Sequence, residues 1–189
     1  MSVTVVDRWL PSCMARMWHA RQESKHRPGL QVVLVPVAGV VRCHPQAGRA
    51  YAHIMGRTAY EAISGSMTTS TDHPFAPILN AGHKVVFSRT LKTADWANTT
   101  TIAAGDTAEE IDKLRQGGDG HIVVWGGVSL WRSLMRLDLI DELQLSLFPY
   151  VAGEGTRLFD GVPNSYQLDL VSSTASSNGI VELQYRRHR

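Results

Sequence analysis

Ile122-Val123-Val124-Trp125-Gly126-Gly127-Val128-Ser129-Leu130, running on to Leu139-Ile140-Asp141-Glu142-Leu143, decides how the rest of the chain is read. Four β-prone residues stop at two glycines. Apolar positions then recur at Leu130, Leu134 and Leu137, four and three residues apart, which predicts a helix starting at the corner. Glycine there carries no Cβ to hold a ligand away from the backbone. The first N–H groups of a helix have no partner within it and carry the positive end of its dipole, so the corner is a ready anion site. An isolated Gly-Gly also marks a tight turn that binds nothing. The surroundings must choose between the two readings.

Two further segments share the pattern. In Ile54-Met55-Gly56-Arg57-Thr58-Ala59-Tyr60-Glu61 a strand enters a helix through glycine, and in His83-Lys84-Val85-Val86-Phe87-Ser88-Arg89-Thr90 a strand ends in a hydroxyl and a guanidinium. Ligands of open α/β sheets gather beyond the carboxyl ends of the strands, where these small or cationic residues fall. Arg57 and Arg89 offer planar donors suited to a phosphomonoester, and Thr58 and Ser88 offer hydroxyls. Singly, each Arg reads as a solvated charge and Ser88 as a strand-end cap. In this order and together they favour binding.

Around these segments the chain reads as alternating strands and helices. Strands are expected at Tyr51–Met55, Lys84–Phe87, Thr99–Ala103 and Leu143–Pro149, with helices at Arg57–Ile63 and Thr107–Gln116. Thr107 is the expected N-cap of the second helix, and a polar loop is expected from Ser64 to about Pro77. Tyr166–Thr174 and Ile180–Arg187 flank Ser177-Asn178-Gly179 as a hairpin. The fold class is therefore α/β, a mostly parallel sheet with a C-terminal antiparallel hairpin. Residues 1–50 lack a sustained period. Only Gln31–Val35 and Gly39–Val41 look like strand, and the region is read as an atypical, loosely structured amino-terminal extension ahead of a regular domain at 51–189.

Composition narrows the function classes. The 189 residues suit one domain, with ordinary hydrophobic (43%) and charged (19%) content. The net charge of +2 divides into +5 over residues 1–50 and −3 over the remainder. The basic arm has no Lys/Arg block and no regular aromatic interleaving, so nucleic acid is not expected as a partner. Cys13 and Cys43 stand far apart, and the eight histidines form no ligand spacing, so neither a disulfide framework nor a metal site is expected. Leu30–Val41, the most apolar run, is too short to cross a bilayer, and no segment reads as a signal peptide. The expected setting is the cytoplasm.

From about Tyr51 to Arg187 the sequence resembles the dihydrofolate reductase-like superfamily. Within it, the chain is most similar to the reductase domain at the C-terminus of the bifunctional riboflavin-biosynthesis deaminase/reductase. Met55-Gly56-Arg57…Tyr60-Glu61, Val85-Val86-Phe87-Ser88 and Gly126-Gly127…Leu130 carry the resemblance. So do Leu139-Ile140-Asp141-Glu142-Leu143-Gln144-Leu145, Pro149 and Gly153-Glu154-Gly155-Thr156-Arg157-Leu158-Phe159. The resemblance implies a three-layer fold and NADPH as cofactor. It implies Arg57 and Thr58 at the cofactor phosphates, Ser88 and Arg89 near the 2′-phosphate, and Gly126, Gly127, Val128, Ser129 and Leu130 around the pyrophosphate. It identifies no catalytic residue. Asp141-Glu142 reads as a helix-end or dimer-interface pair before an acid/base pair, and Glu154 as an exposed turn tip. Two departures stand out: Ala59 occupies a usual threonine position, and residues 9–50 do not follow the family pattern, with Val3–Arg8 the nearest match to its first strand.

Two readings of function stay open. One is an NADPH-dependent reductase of a small pyrimidine-like, pterin-like or sugar-phosphate substrate, resembling 5-amino-6-(5-phosphoribosylamino)uracil reductase or dihydrofolate reductase. The other is a non-catalytic, NADPH-binding protein. Both are expected as homodimers, formed through the Leu139–Val151 region.

Overall fold

The computed structural model describes residues 3–5, 32–42, 50–71, 76–96, 100–118, 120–125, 127–151, 156–163, 165–177 and 179–188. The strands are β1 (Val3–Val5), β2 (Val32–Arg42), β3 (Ala50–Gly56), β4 (His83–Phe87), β5 (Thr100–Ala103), β6 (His121–Val124), β7 (Glu142–Val151), β8 (Thr156–Arg157), β9 (Leu168–Ala175) and β10 (Val181–Arg187). The helices are α1 (Arg57–Thr69), α2 (Ala76–Ala81), α3 (Thr107–Gln116) and α4 (Val128–Arg136). One sheet runs in the order β5-β4-β3-β6-β2-β7-β10-β9, with β1 beside β2 and β8.

Four neighbouring strands, β5, β4, β3 and β6, are parallel. Beyond β6, each neighbour along β2, β7, β10 and β9 is antiparallel. The α/β class and the terminal hairpin are as expected, and the antiparallel part reaches further inward than the hairpin, through β7 and β2. Strand side chains alternate between faces, and here that alternation builds two cores. Ile54, Val85, Ile122 and Val124 pack with Ile111 of α3 and with Leu130, Trp131 and Leu134 of α4. Met55 and Val86 pack on the other side with Tyr60, Ile63 and Met67 of α1 and Leu79 of α2. A sheet covered on both faces needs apolar residues at consecutive positions, which explains Ile54-Met55 and Val85-Val86. The result is three layers.

Several boundaries differ from the sequence reading. α1 continues to Thr69 through the expected loop, because Met67 extends the buried stripe of Tyr60 and Ile63. Thr68 and Thr69 turn their hydroxyls back onto the Gly65 carbonyl, each at 3.0 Å, so polar residues sit within the helix. α2 falls inside the same expected loop, with Pro77 in its first turn, where the missing N–H costs nothing. β2 is one strand running through Pro36, and the register shifts between Pro36 and Ala38 to accommodate the absent donor. β7 likewise continues past Pro149. Leu137, expected on the buried face of α4, is 45% exposed at the helix C-cap. The next residue, Asp138, takes positive φ (52°) and turns the chain away from the helix axis.

Candidate functional site

A cleft of about 1050 Å³ opens beyond the carboxyl ends of β3, β4 and β5, where α1, α3 and α4 begin. Arg57, Thr58, Ser88, Arg89, Gly127, Val128, Ser129 and Leu130 all line it, so residues up to 73 positions apart in sequence share one wall system. Gly126 lies outside the described residues. Leu130 is buried to 6% exposure with its side chain in the core, and can therefore offer a ligand only its backbone.

Two helix starts abut in the cleft. α1 begins after Gly56 and α4 after Gly127, and neither receives a side-chain cap. A Cβ built on Gly127 would lie 3.5 Å from the Gly56 nitrogen, which measures how closely the two corners approach. Gly127 has φ +84° and ψ 91°, a backbone that side-chain-bearing residues rarely adopt. Among the described residues no N-cap side chain accepts from the first-turn N–H groups of either helix, and their dipoles add at one place.

The third helix start is different. The Asp106 carboxylate caps α3, accepting from the Ala108 and Glu109 backbone N–H groups at 2.9 and 3.3 Å. Glu109 and Glu110 follow in its first turn. This wall is already compensated by negative charge, so an anion is favoured on the α1 and α4 side. The expected N-cap, Thr107, is the first helical residue instead. Asp106 caps because its carboxylate reaches both N–H groups from an extended backbone.

The β4 end supplies the remaining polar groups. Ser88 Oγ accepts from the Leu91 and Thr90 backbone N–H groups at 2.9 and 3.2 Å, so the capping reading of this serine holds. The Ser88 and Thr90 hydroxyls lie 3.4 Å apart, and the one that does not donate to the other has a proton for a ligand. Arg89 is exposed at the cleft wall and makes no ion pair among the described residues. Arg57 approaches Glu61 at 3.7 Å, a half-exposed pair one helical turn apart, weak enough to yield to a phosphate. Among the described residues no group of His, Cys, Asp and Glu is arranged to hold a metal ion.

A model of the RibD C-terminal domain matches residues 1–182. The chain belongs to this family. Protein YyaP of Bacillus subtilis strain 168, itself uncharacterized, is 33% identical over 115 residues, covering 61% of this chain and 60% of that protein. A putative riboflavin biosynthesis protein from Shewanella sp. PV-4 superposes with a TM-score of 0.62 at 21% identity, covering 75% of this chain and 76% of that one. The fold is thus shared with a solved structure. A pyrimidine reductase-like protein from Corynebacterium diphtheriae aligns more loosely, with a TM-score of 0.47 at 17% identity, covering 74% of this chain and 77% of that one.

In this RibD C-terminal domain, other residues singled out by sequence lie elsewhere. Glu142, buried at the start of β7, accepts from Arg186 Nε and Nη2, both at 3.3 Å, and does not line the cleft. The Asp141 carbonyl accepts from the Arg187 backbone N–H. Glu154 is outside the described residues. Trp125 and Trp131 are buried in the two cores. One wall escaped the sequence reading as a binding segment: Ala103, Ala104, Gly105, Asp106 and Thr107, which lie beside the β4 end, where the Ser88 backbone N–H donates to the Ala103 carbonyl at 3.0 Å. The signal was present, since a strand of Thr and Ile gives way to small residues, a glycine and an aspartate ahead of a helix. It has the same grammar as the other two corners.

Buried polar groups lie behind the cleft, on the α1 and α2 face. Lys84 is fully buried and donates to the Leu79 and Gly82 carbonyls at 2.8 and 2.9 Å, closing the C-terminal end of α2. Burial lowers its pKa. His53 is 3% exposed, and its Nδ1 accepts from the Trp125 indole N–H at 2.7 Å. Burial, with the Lys84 and His83 charges adding to it, lowers the imidazole to about 4.

Proposed function

We propose that the chain binds NADPH in this cleft and serves as a reductase of a small heterocyclic substrate. The supporting observation is the meeting of two glycine-started, uncapped helix N-termini with Arg57 and Arg89 in one cleft. Pyrophosphate suits the paired N-termini at Gly56 and Gly127, where backbone N–H groups and dipoles favour negative charge. The 2′-phosphate suits Arg89 and the Ser88 hydroxyl, with Arg57 available to either anion. The residues present fit the cofactor. When bound, it supplies the hydride, and the protein supplies binding, orientation and electrostatics.

The substrate proposed first is a ribosylamino-pyrimidine phosphate, reduced at the opened ribose. Membership of the RibD C-terminal domain family and the likeness in fold to a putative riboflavin biosynthesis protein support it. A pterin is the alternative. We further propose a cytoplasmic homodimer. Among the described residues no helix is long and apolar enough to cross a membrane. Both backbone edges of β7 are taken up by β2 and β10, so a dimer through the Leu139–Val151 region would use a face of the sheet.

One observation favours the second reading, a binding protein without turnover. The ionisable residues lining the described cleft are Arg57, Arg89 and Asp106, and Asp106 is committed to a helix cap. None is placed to move a proton to substrate. Incubation with NADPH and the ribosylamino-pyrimidine phosphate separates the two. Loss of reduced-nicotinamide absorbance matched by ribityl product supports the reductase. Tight NADPH binding with no loss for either pyrimidine or pterin supports the binding protein.

A further inference from the structure

Gly127 has no side chain to anchor it, so the position of the corner is inherited from its neighbours. Trp125, one residue beyond β6, is held twice to β3. Its backbone N–H donates to the Ile54 carbonyl at 2.8 Å, and its indole N–H donates to His53 Nδ1 at 2.7 Å. The two rings lie 5.6 Å apart and tilted by 46°, both buried. The imidazole has little room to turn. A Cβ on Gly82 would stand 2.5 Å from its Cδ2 and 2.7 Å from its Nε2, so the absence of a side chain at Gly82 is what admits the ring.

We propose that His53 is a positioning residue for the cofactor corner, fixing through the Trp125 indole the end of β6 that leads to the Gly127 corner. This rests on the reading of the cleft as a dinucleotide site and adds a residue that does not line it. The donor from Trp125 requires an acceptor at Nδ1, so the working form is the neutral imidazole with its proton on Nε2. Protonation would set two donors against each other. The charged groups facing the imidazole among the described residues are Lys84 and His83 of β4, both of which oppose protonation. Backbone groups aimed at a phosphate lose effectiveness when displaced by a fraction of an ångström, so release of Trp125 is read out in affinity.

The test is calorimetric titration of NADPH at neutral pH into the intact protein and into His53→Leu, His53→Gln, Trp125→Phe and the double variant His53→Leu/Trp125→Phe. His53→Leu and Trp125→Phe each remove the bond and are expected to weaken binding by about tenfold. The double variant should be no weaker than either single one, because all three lack the same bond. His53→Gln, whose side-chain oxygen restores an acceptor, should recover most of the affinity. A merely structural histidine would show additive losses and no recovery with glutamine, and that result overturns the proposal. Unchanged affinity in all variants overturns it as well. If the unaltered protein does not bind NADPH, the dinucleotide reading fails first and this inference with it. Binding by the unaltered protein with unaffected variants removes this inference alone.

Discussion

Gly56 and Gly127 occupy equivalent corners but differ in why glycine is there, and replacing each by alanine separates the reasons. At Gly127 the backbone (φ +84°, ψ 91°) lies outside even the left-handed well, and holding an alanine there costs about 2–3 kcal/mol. The added methyl meets the Gly56 nitrogen, the Ala59 Cβ and the Gly56 Cα at 3.5–3.7 Å, ordinary contacts that contribute little. Reduced freedom of the unfolded chain returns about 0.4–1 kcal/mol. Gly127→Ala should therefore lower stability by about 1–2.5 kcal/mol. Gly56 is extended (φ −79°, ψ 164°), and its nearest obstacle is the Leu130 Cβ at 3.8 Å. The same entropic gain is there offset by the poorer N-cap character of alanine, and Gly56→Ala should change stability by less than about 0.5 kcal/mol. Equilibrium urea unfolding, with equal slopes and compared midpoints, measures both. Equal losses, or a larger loss at Gly56, would refute the claim that conformation rather than crowding selects glycine at the α4 corner.

Other consequences follow from the same geometry. Arg89→Ala should weaken NADPH by roughly ten- to a hundredfold through loss of charge-assisted bonds, and NADH much less; equal weakening of both dinucleotides in parallel titrations would sink the 2′-phosphate assignment. His53 ties stability to pH: its folded pKa of about 4 lies below the ordinary 6.5, so the unfolded chain binds the extra proton. That contribution is whole above pH 6.5, is lost as pH falls toward 4, and amounts to about 3 kcal/mol. His53→Gln should flatten the acid limb of the stability–pH curve relative to the unaltered protein, and an unchanged limb would contradict the burial account. Asp106→Ala should remove about 1 kcal/mol by leaving the Ala108 and Glu109 N–H groups without their cap, while Asp106→Ser should restore most of it in the same unfolding assay.

The legible parts of the sequence were those where local chemistry and final structure agree. Glycine after a β-prone run, followed by a helical period, placed the starts of α1 and α4 within a residue, and both became cleft walls. The strands expected at Tyr51–Met55 and Lys84–Phe87 form, and their consecutive apolar pairs Ile54-Met55 and Val85-Val86 divide between the two cores. Failures came where tertiary packing overrode local signals. Ser64–Thr69 looks like loop until Met67 finds a core, and Pro36 looks like a strand end until a register shift absorbs it. Leu137 matched the helical period but fell at the turn where Asp138 bends the chain. The Ala103–Thr107 wall carries the same strand–glycine–helix signal, but no cation accompanies it to mark it as an anion-binding segment. The His53–Trp125 bond joins residues 72 positions apart and becomes visible only once β3 and β6 are known to be neighbours.

The central claim is that these corners and arginines form a site for a 2′-phosphorylated dinucleotide. Calorimetric titration of the purified protein with NADPH and NADH side by side tests it most directly. The account predicts saturable one-site binding of NADPH, at least tenfold tighter than NADH. Binding of neither, or equal binding of both, would contradict it.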